Sequence, residues 1–114
     1  MNAFELSELT RKHQELGKLY LEFLHVPSMS MGLYRLPAGG IDPQSPHTED
    51  EIYYVISGKA LIDVGEEQHP VQAGSIIFVS ADLPHKFHTI EQELQVLVFF
   101  APAEYSLKTS QVKD

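Results

Sequence analysis

An all-β fold, an antiparallel sandwich or barrel entered through one short helix, is what this sequence predicts, and three observations predict it. About seven runs of five to eight residues are rich in β-branched and aromatic side chains. Gly, Pro, Ser or Asp punctuates each of them, so the runs recur roughly every ten residues. No helical periodicity separates them after Gly17, which leaves no crossover for a parallel sheet.

The elements follow in order. Leu6, Leu9, His13 and Leu16 recur three to four residues apart, predicting a helix over about 5–16, with Ser7 placed to cap its start and Gly17 to stop it. The strand runs are 18–24 (KLYLEFL), 29–36 (MSMGLYRL), 51–56 (EIYYVI), 60–64 (ALIDV), 75–79 (SIIFV), 85–90 (HKFHTI) and 94–100 (LQVLVFF). Turn signals stand at Pro27-Ser28, 37–40, Ser57-Gly58, Gly65-Glu66, Ala73-Gly74 and 82–84. Residues 106–114 are polar and aperiodic, the pattern of a flexible tail. The 114 residues make a single domain, with a barrel over about 18–103, and 43% hydrophobic with 21% charged residues is a globular composition.

Sixteen acidic against eight basic side chains give a formal charge of -8, which argues against nucleic acid and anionic membrane surfaces as partners. There is no cysteine, so disulfides, thiolate nucleophiles and thiolate metal sites are excluded together, and six His and the carboxylates are the strong metal ligands on offer. The start lacks a basic, apolar leader, and the longest apolar run is broken by Pro102; a soluble, cytoplasmic protein is the expectation. The apolar runs 18–24 and 94–100 exceed what a small barrel hides, which predicts a homodimer.

Two segments carry more chemistry than a sheet needs: 44–58, with His47 and Glu51, and 74–88, with His85 and His88. On one extended strand His47 and Glu51 would lie ~13 Å apart, too far to share an ion. Pro46 and the apolar run 52–56 argue against a helix, so a turn over Thr48, Glu49 and Asp50 is left, with His47 ending one strand and Glu51 opening the next. By itself such a pair reads equally as a surface ion pair or a satisfied core histidine.

The spacing resembles the cupin superfamily, whose first motif is Gly, five residues, His-x-His, three or four residues, Glu, six residues, Gly. Counted back from Gly58, Glu51 has the required gap and His47 stands where the second His belongs. In the second motif, Gly, five residues, Pro-x-Gly, two residues, His, three residues, Asn, the separation of Gly74 and His85 matches. The family's first His falls on Ser45, the Pro and Gly on Ser80 and Asp82, and the Asn on Thr89. The resemblance covers about 18–102 and implies a jelly-roll barrel, a double-stranded β-helix, with one divalent metal ion (Fe, Mn, Ni or Zn) at His47, Glu51 and His85. Two His and a carboxylate resemble the facial triad that suits Fe(II), and with water they suit catalytic zinc. Gln44 or Ser45 could add a weak ligand; a cupin that has lost its metal with the missing His is the alternative.

Alternation puts Tyr53 and Val55 on the face of Glu51, and Phe87 and Thr89 on that of His85. Tyr53, Val55 and Phe87 are accordingly expected to line an apolar pocket, or else to pack as core. His88 has the opposite parity and faces away, while His13, His25 and His69 are expected on the surface or in local hydrogen bonds. Asp42, Glu66 and Glu67 read as turn residues, and Glu49 and Asp50 as a solvated turn. No phosphate loop or nucleophile elbow is present. The resemblance implies a metal-dependent enzyme acting on a small organic molecule, of oxygenase, isomerase or lyase type. The alternative is a non-catalytic module that binds or senses a small ligand. Tyr53 and Glu49 are the acid/base candidates.

Overall fold

The structure is a computed structural model, which describes residues 1–44 and 46–106; the tail expected at the C-terminus lies outside them beyond Ser106. Helix α1 (Leu6–Leu16) precedes six strands: β1 (Tyr20–Val26), β2 (Met29–Leu36), β3 (Asp50–Val64), β4 (Glu67–Gln72), β5 (Ile76–Val79) and β6 (His85–Ala101). All pairings are antiparallel. The N-terminal half of β3 pairs with β5 and with the C-terminal half of β6, which continues to β2 and β1. The C-terminal half of β3 pairs with β4 and with the N-terminal half of β6. Two walls therefore share two long strands.

The seven predicted runs map onto five of these strands. Runs 51–56 and 60–64 join into β3, and runs 85–90 and 94–100 join into β6, because the register shifts between Val55 and Leu61 bend the ladder without ending it. Gly58 makes the bend possible: its φ is 102°, and a Cβ there would collide with the backbone of Glu93. Strand β4 was not predicted, since EQHPVQ is polar and holds Pro70. It lies at the sheet edge, exposed except at Val71, where a proline costs no ladder bond.

The core lies between the walls, with Leu36, Val55, Ile62, Val79, Leu94 and Val96 fully or almost fully buried. α1 docks outside, against β1 and β2. It buries only Leu9 and His13; Leu6 and Leu16 are exposed, and the N-cap is Glu5 with no side-chain bond, not Ser7. Gly17 ends the helix with φ 71° as expected. Of the two expectations for His13, the surface and a local hydrogen bond, the second holds: it is buried, and its Nε2 meets the Leu19 carbonyl at 2.8 Å, which ties the helix to β1.

Candidate metal centre

Strand alternation delivers the first ligand candidate. In β3 residues 50–55 alternate exposed and buried, which turns Glu51, Tyr53 and Val55 inward. β6 opens with His85 and Phe87 inward and Lys86 outward. At Thr89 this order breaks: its φ is 50°, it is exposed, and Ile90 takes the inward position that Thr89 was expected to hold. Thr89 stands where the family's Asn would, and Asp82, where the family's Gly would stand, also has a positive φ of 63°. The backbone keeps a left-handed turn at both places with residues that are more strained by it.

His47 ends no strand. It lies in an extended loop before a bend at Thr48 and Glu49, with Glu51 the second residue of β3. Cross-loop bonds hold it beside His85: the Asp82 amide donates to the His47 carbonyl at 2.6 Å and the Ala81 amide to Asp50 Oδ1 at 2.9 Å.

One atom from each of His47, Glu51 and His85 lies within 4.8 Å of the others. Glu51 Oε1 is 3.1 Å from His85 Nε2 and 3.7 Å from His47 Nδ1. None of these approaches has hydrogen-bond geometry, so His47 Nδ1, His85 Nε2 and both Glu51 oxygens are buried without a partner. Exposures of 5%, 1% and 6% for His47, Glu51 and His85 leave water little access. Buried lone pairs converging this way cost free energy unless a cation satisfies them.

The outer nitrogens are engaged. His85 Nδ1 donates to the Leu83 carbonyl at 2.8 Å and His47 Nε2 to Glu104 Oε2 at 2.9 Å, since a carbonyl and a carboxylate only accept. Each ring is thus turned with its inner nitrogen toward Glu51, the orientation an imidazole needs to bind a metal there once that nitrogen is unprotonated. Burial pulls the His85 imidazole down, but the Glu51 carboxylate and the Leu83 carbonyl more than reverse this, so its proton is held above the usual histidine range.

Pattern reasoning missed several residues here. Glu104 and Tyr105 follow β6, more than fifty residues from His47 in sequence; the Glu104 amide donates to Ser30 Oγ at 2.9 Å and the Tyr105 ring stacks on His47 at 5.3 Å. Glu49 is not solvated but buried, accepting the Tyr105 amide at 2.7 Å and the Thr48 hydroxyl. Asp42 is no ordinary turn residue. It is buried and accepts from the Tyr34 hydroxyl at 2.5 Å, the Gln44 amides at 3.1 and 2.9 Å, and the Phe87 amide at 2.9 Å. Local sequence does not mark their burial, because the contacts that complete it, Tyr105 for Glu49 and Phe87 for Asp42, lie 45 or more residues away.

Of the two expectations for Tyr53, Val55 and Phe87, core packing is the one the structure shows. Tyr53, Val55 and Phe87 are fully buried in the core, Tyr53 packing on Phe87 at 4.9 Å between ring centroids. The cavity of about 320 Å³ beside His47 is lined instead by Tyr20, Tyr34, Gln44, Phe100, Glu104 and Tyr105, among others. Burial, with the Glu51 carboxylate, holds the Tyr53 phenol well above its usual range, and it donates to Gln44 Oε1 at 2.9 Å. Gln44 thus sits at the cavity with its amide engaged by Tyr53 and Asp42, while Ser45 lies outside the described residues. Of the other histidines, His88 turns away to Asp63 at 2.9 Å, His25 meets Glu22 at 3.2 Å, and His69 is exposed within β4.

The cupin domain family model matches residues 32–101, well over half of the chain. This chain is a cupin. An uncharacterised protein of Streptomyces coelicolor, SCO3923, is 48% identical to this cupin over 104 residues, covering 91% of this chain and 99% of that one. Among solved structures, TT1209 from Thermus thermophilus superposes with a TM-score of 0.73 at 26% identity, covering 90% of this cupin and 99% of its own chain. KdgF from a Halomonas species superposes with a TM-score of 0.66 at 19% identity, covering 73% and 76%, a likeness of fold alone. The jelly-roll architecture that the resemblance implied is therefore shown.

Proposed function

We propose that this cupin is a metal-dependent enzyme acting on a small organic molecule, with one divalent ion held by His47, Glu51 and His85. The observation that carries this reading is the set of four buried, unpartnered atoms converging beside a cavity that also presents the Glu104 carboxylate. An ion bound there supplies Lewis acidity and a template for substrate oxygens. The chain does the rest: Glu104 and the Leu83 carbonyl orient the two imidazoles, and Tyr20, Phe100 and Tyr105 shelter the reacting groups from water. Glu104, hydrogen-bonded to His47 at the cavity wall, is also the group best placed to give or take a proton. Oxygenase, isomerase and lyase chemistry all use such parts. Elemental analysis after reconstitution with Fe, Mn, Ni and Zn should find about one ion per chain; none with any of the four overturns the reading.

A second reading, a binding or sensing module, is favoured by one observation. Both acid/base candidates expected from the sequence are committed to internal bonds, Tyr53 to Gln44 and Glu49 to Tyr105 and Thr48. Turnover separates the two. The Fe(II) protein consuming oxygen with a bidentate organic ligand, and losing this with His85→Ala, supports the enzyme, whereas a ligand that perturbs the metal spectrum and is never consumed supports the module.

Pairing of two copies is part of the same proposal. Ile76 and Phe78 of β5, 68% and 61% exposed, are cross-strand neighbours of the exposed Tyr54 and Ile52 on β3. β5 pairs with β3 alone among the described residues, so a second copy can cover this apolar face and the open edge together. A light-scattering mass equal to one 12.8 kDa chain at micromolar concentration refutes the dimer. No helix among the described residues is long and apolar enough to cross a membrane.

A further inference from the structure

The geometry points to a small organic cation, one carrying an ammonium group, as the ligand of the cavity beside His47. This rests on the proposed small-molecule site and narrows its substrate class. The wall is aromatic on several sides, with the rings of Tyr20, Tyr34, Phe100 and Tyr105 around one space, and Glu104 supplies a carboxylate. Rings offer their negative faces to a cation, and a cluster of them beside a carboxylate is how proteins hold ammonium groups.

The electrostatics agree. Lys12, Lys18, Lys59 and Lys86 are exposed, Arg11 pairs with Glu8 and Glu15 on α1, and Arg35 has the strand parity opposite to the inward Tyr34, so none of the six Lys and Arg among the described residues lines the cavity. Glu51, Glu49 and Asp42 are buried behind it, and even a divalent ion at the candidate centre leaves these carboxylates and Glu104 in excess. An anionic ligand would meet this charge with no basic side chain among the described residues to offset it. Burial first, and the Glu104 carboxylate after it, hold both the Tyr20 and Tyr105 phenols protonated, as a negative field requires.

A glycine admits one of these rings to the wall. Gly32 has no side chain, and the Tyr20 ring occupies the place where a Cβ would stand, reaching over β2 toward the cavity. The Tyr20 hydroxyl is buried with no hydrogen-bond partner, which leaves a donor for a ligand hydroxyl. An amino alcohol or a hydroxylated ammonium compound offers both groups at once.

Three isosteric probes test this: choline, its uncharged analogue 3,3-dimethylbutan-1-ol, and the anion 3,3-dimethylbutanoate. They share a shape and differ in charge, and none needs the metal, so each is titrated into the metal-loaded and the metal-free protein. The readouts are calorimetry and tyrosine fluorescence, which no Trp obscures and which comes from five Tyr, three of them at the cavity. Choline should bind about tenfold more tightly than the neutral probe and more tightly still than the anion. Glu104→Gln should shrink the ratio toward one, and Tyr105→Leu, at a half-exposed ring, keeps the test open if Glu104→Gln does not fold. An anion bound as well as choline, or no binding of choline in the millimolar range, overturns the inference. Because the ranking is read with and without metal, failure of the metal reading shows in the elemental analysis and failure of this one in the ranking.

Discussion

His85 and His88 stand three residues apart on β6, each within about 3 Å of a carboxylate, yet they do opposite things. The His85 ring is buried against Glu51, with its inner nitrogen and both Glu51 oxygens left without hydrogen bonds. The His88 ring lies partly exposed against Asp63, its Nε2 2.9 Å from Oδ1, with Thr89 Oγ1 2.9 Å from Nδ1 and Gln68 donating to the same carboxylate at 3.0 Å. Proximity of His and acid is therefore not the signal of a site. The signal is burial with unsatisfied atoms, because water can complete the second cluster and only a cation can complete the first.

The strongest way to break the comparison is to remove one ligand from each cluster. His85→Ala or His47→Ala should abolish metal retention, while His88→Ala or His69→Ala leaves the metal content of the wild type, all read by elemental analysis. Equal loss from His88→Ala would mean the ion sits elsewhere.

Acidification should act next most strongly. The His85 proton is held above the usual histidine range, so a metal must displace it, and affinity should fall as pH drops through about 7 toward 5. Retention unchanged over that window in a chelator-competition assay would exclude His85 as a ligand.

Glu104→Gln tests the outer contact. Losing the carboxylate behind His47 should weaken metal affinity by about 10- to 100-fold without abolishing it. Asp63→Asn, the matching change in the exposed cluster, should leave affinity unaltered.

The smallest expected effect concerns stability and has the unusual sign. In metal-free protein, at a pH high enough to strip the raised His85 proton, Glu51 is buried without a compensating partner, so Glu51→Leu should raise stability by about 1–3 kcal/mol in urea unfolding. A loss of stability would show that Glu51 is satisfied by the protein itself.

Much of this was legible in the chain. Alternation placed Glu51, Tyr53 and Val55 on one face because a strand has a period of two whatever it packs against, and the resemblance of the spacings to Gly58 and Gly74 to the cupin motifs singled out His47, Glu51 and His85, which the fold brings together. The same period failed at Thr89, where a positive φ shifts the inward position to Ile90. It also missed β4, an edge strand whose exposed polar residues bury little and so carry no pattern.

What the amino-acid sequence determined by itself was the all-β class and the inward parity, both set by interactions within a few residues, while the three candidate ligands were marked by the likeness of their spacing to the cupin motifs. The tertiary structure alone decided that Glu104 and Tyr105 wall the site, that Glu49 and Asp42 are buried latches, and that Tyr53 and Phe87 are core while Tyr20 and Phe100 face the cavity. Those roles depend on which strands meet across the barrel. A residue's own neighbours in sequence carry no record of a partner more than fifty positions away, and whether its polar atoms find water, a hydrogen bond or neither is settled only when the walls close.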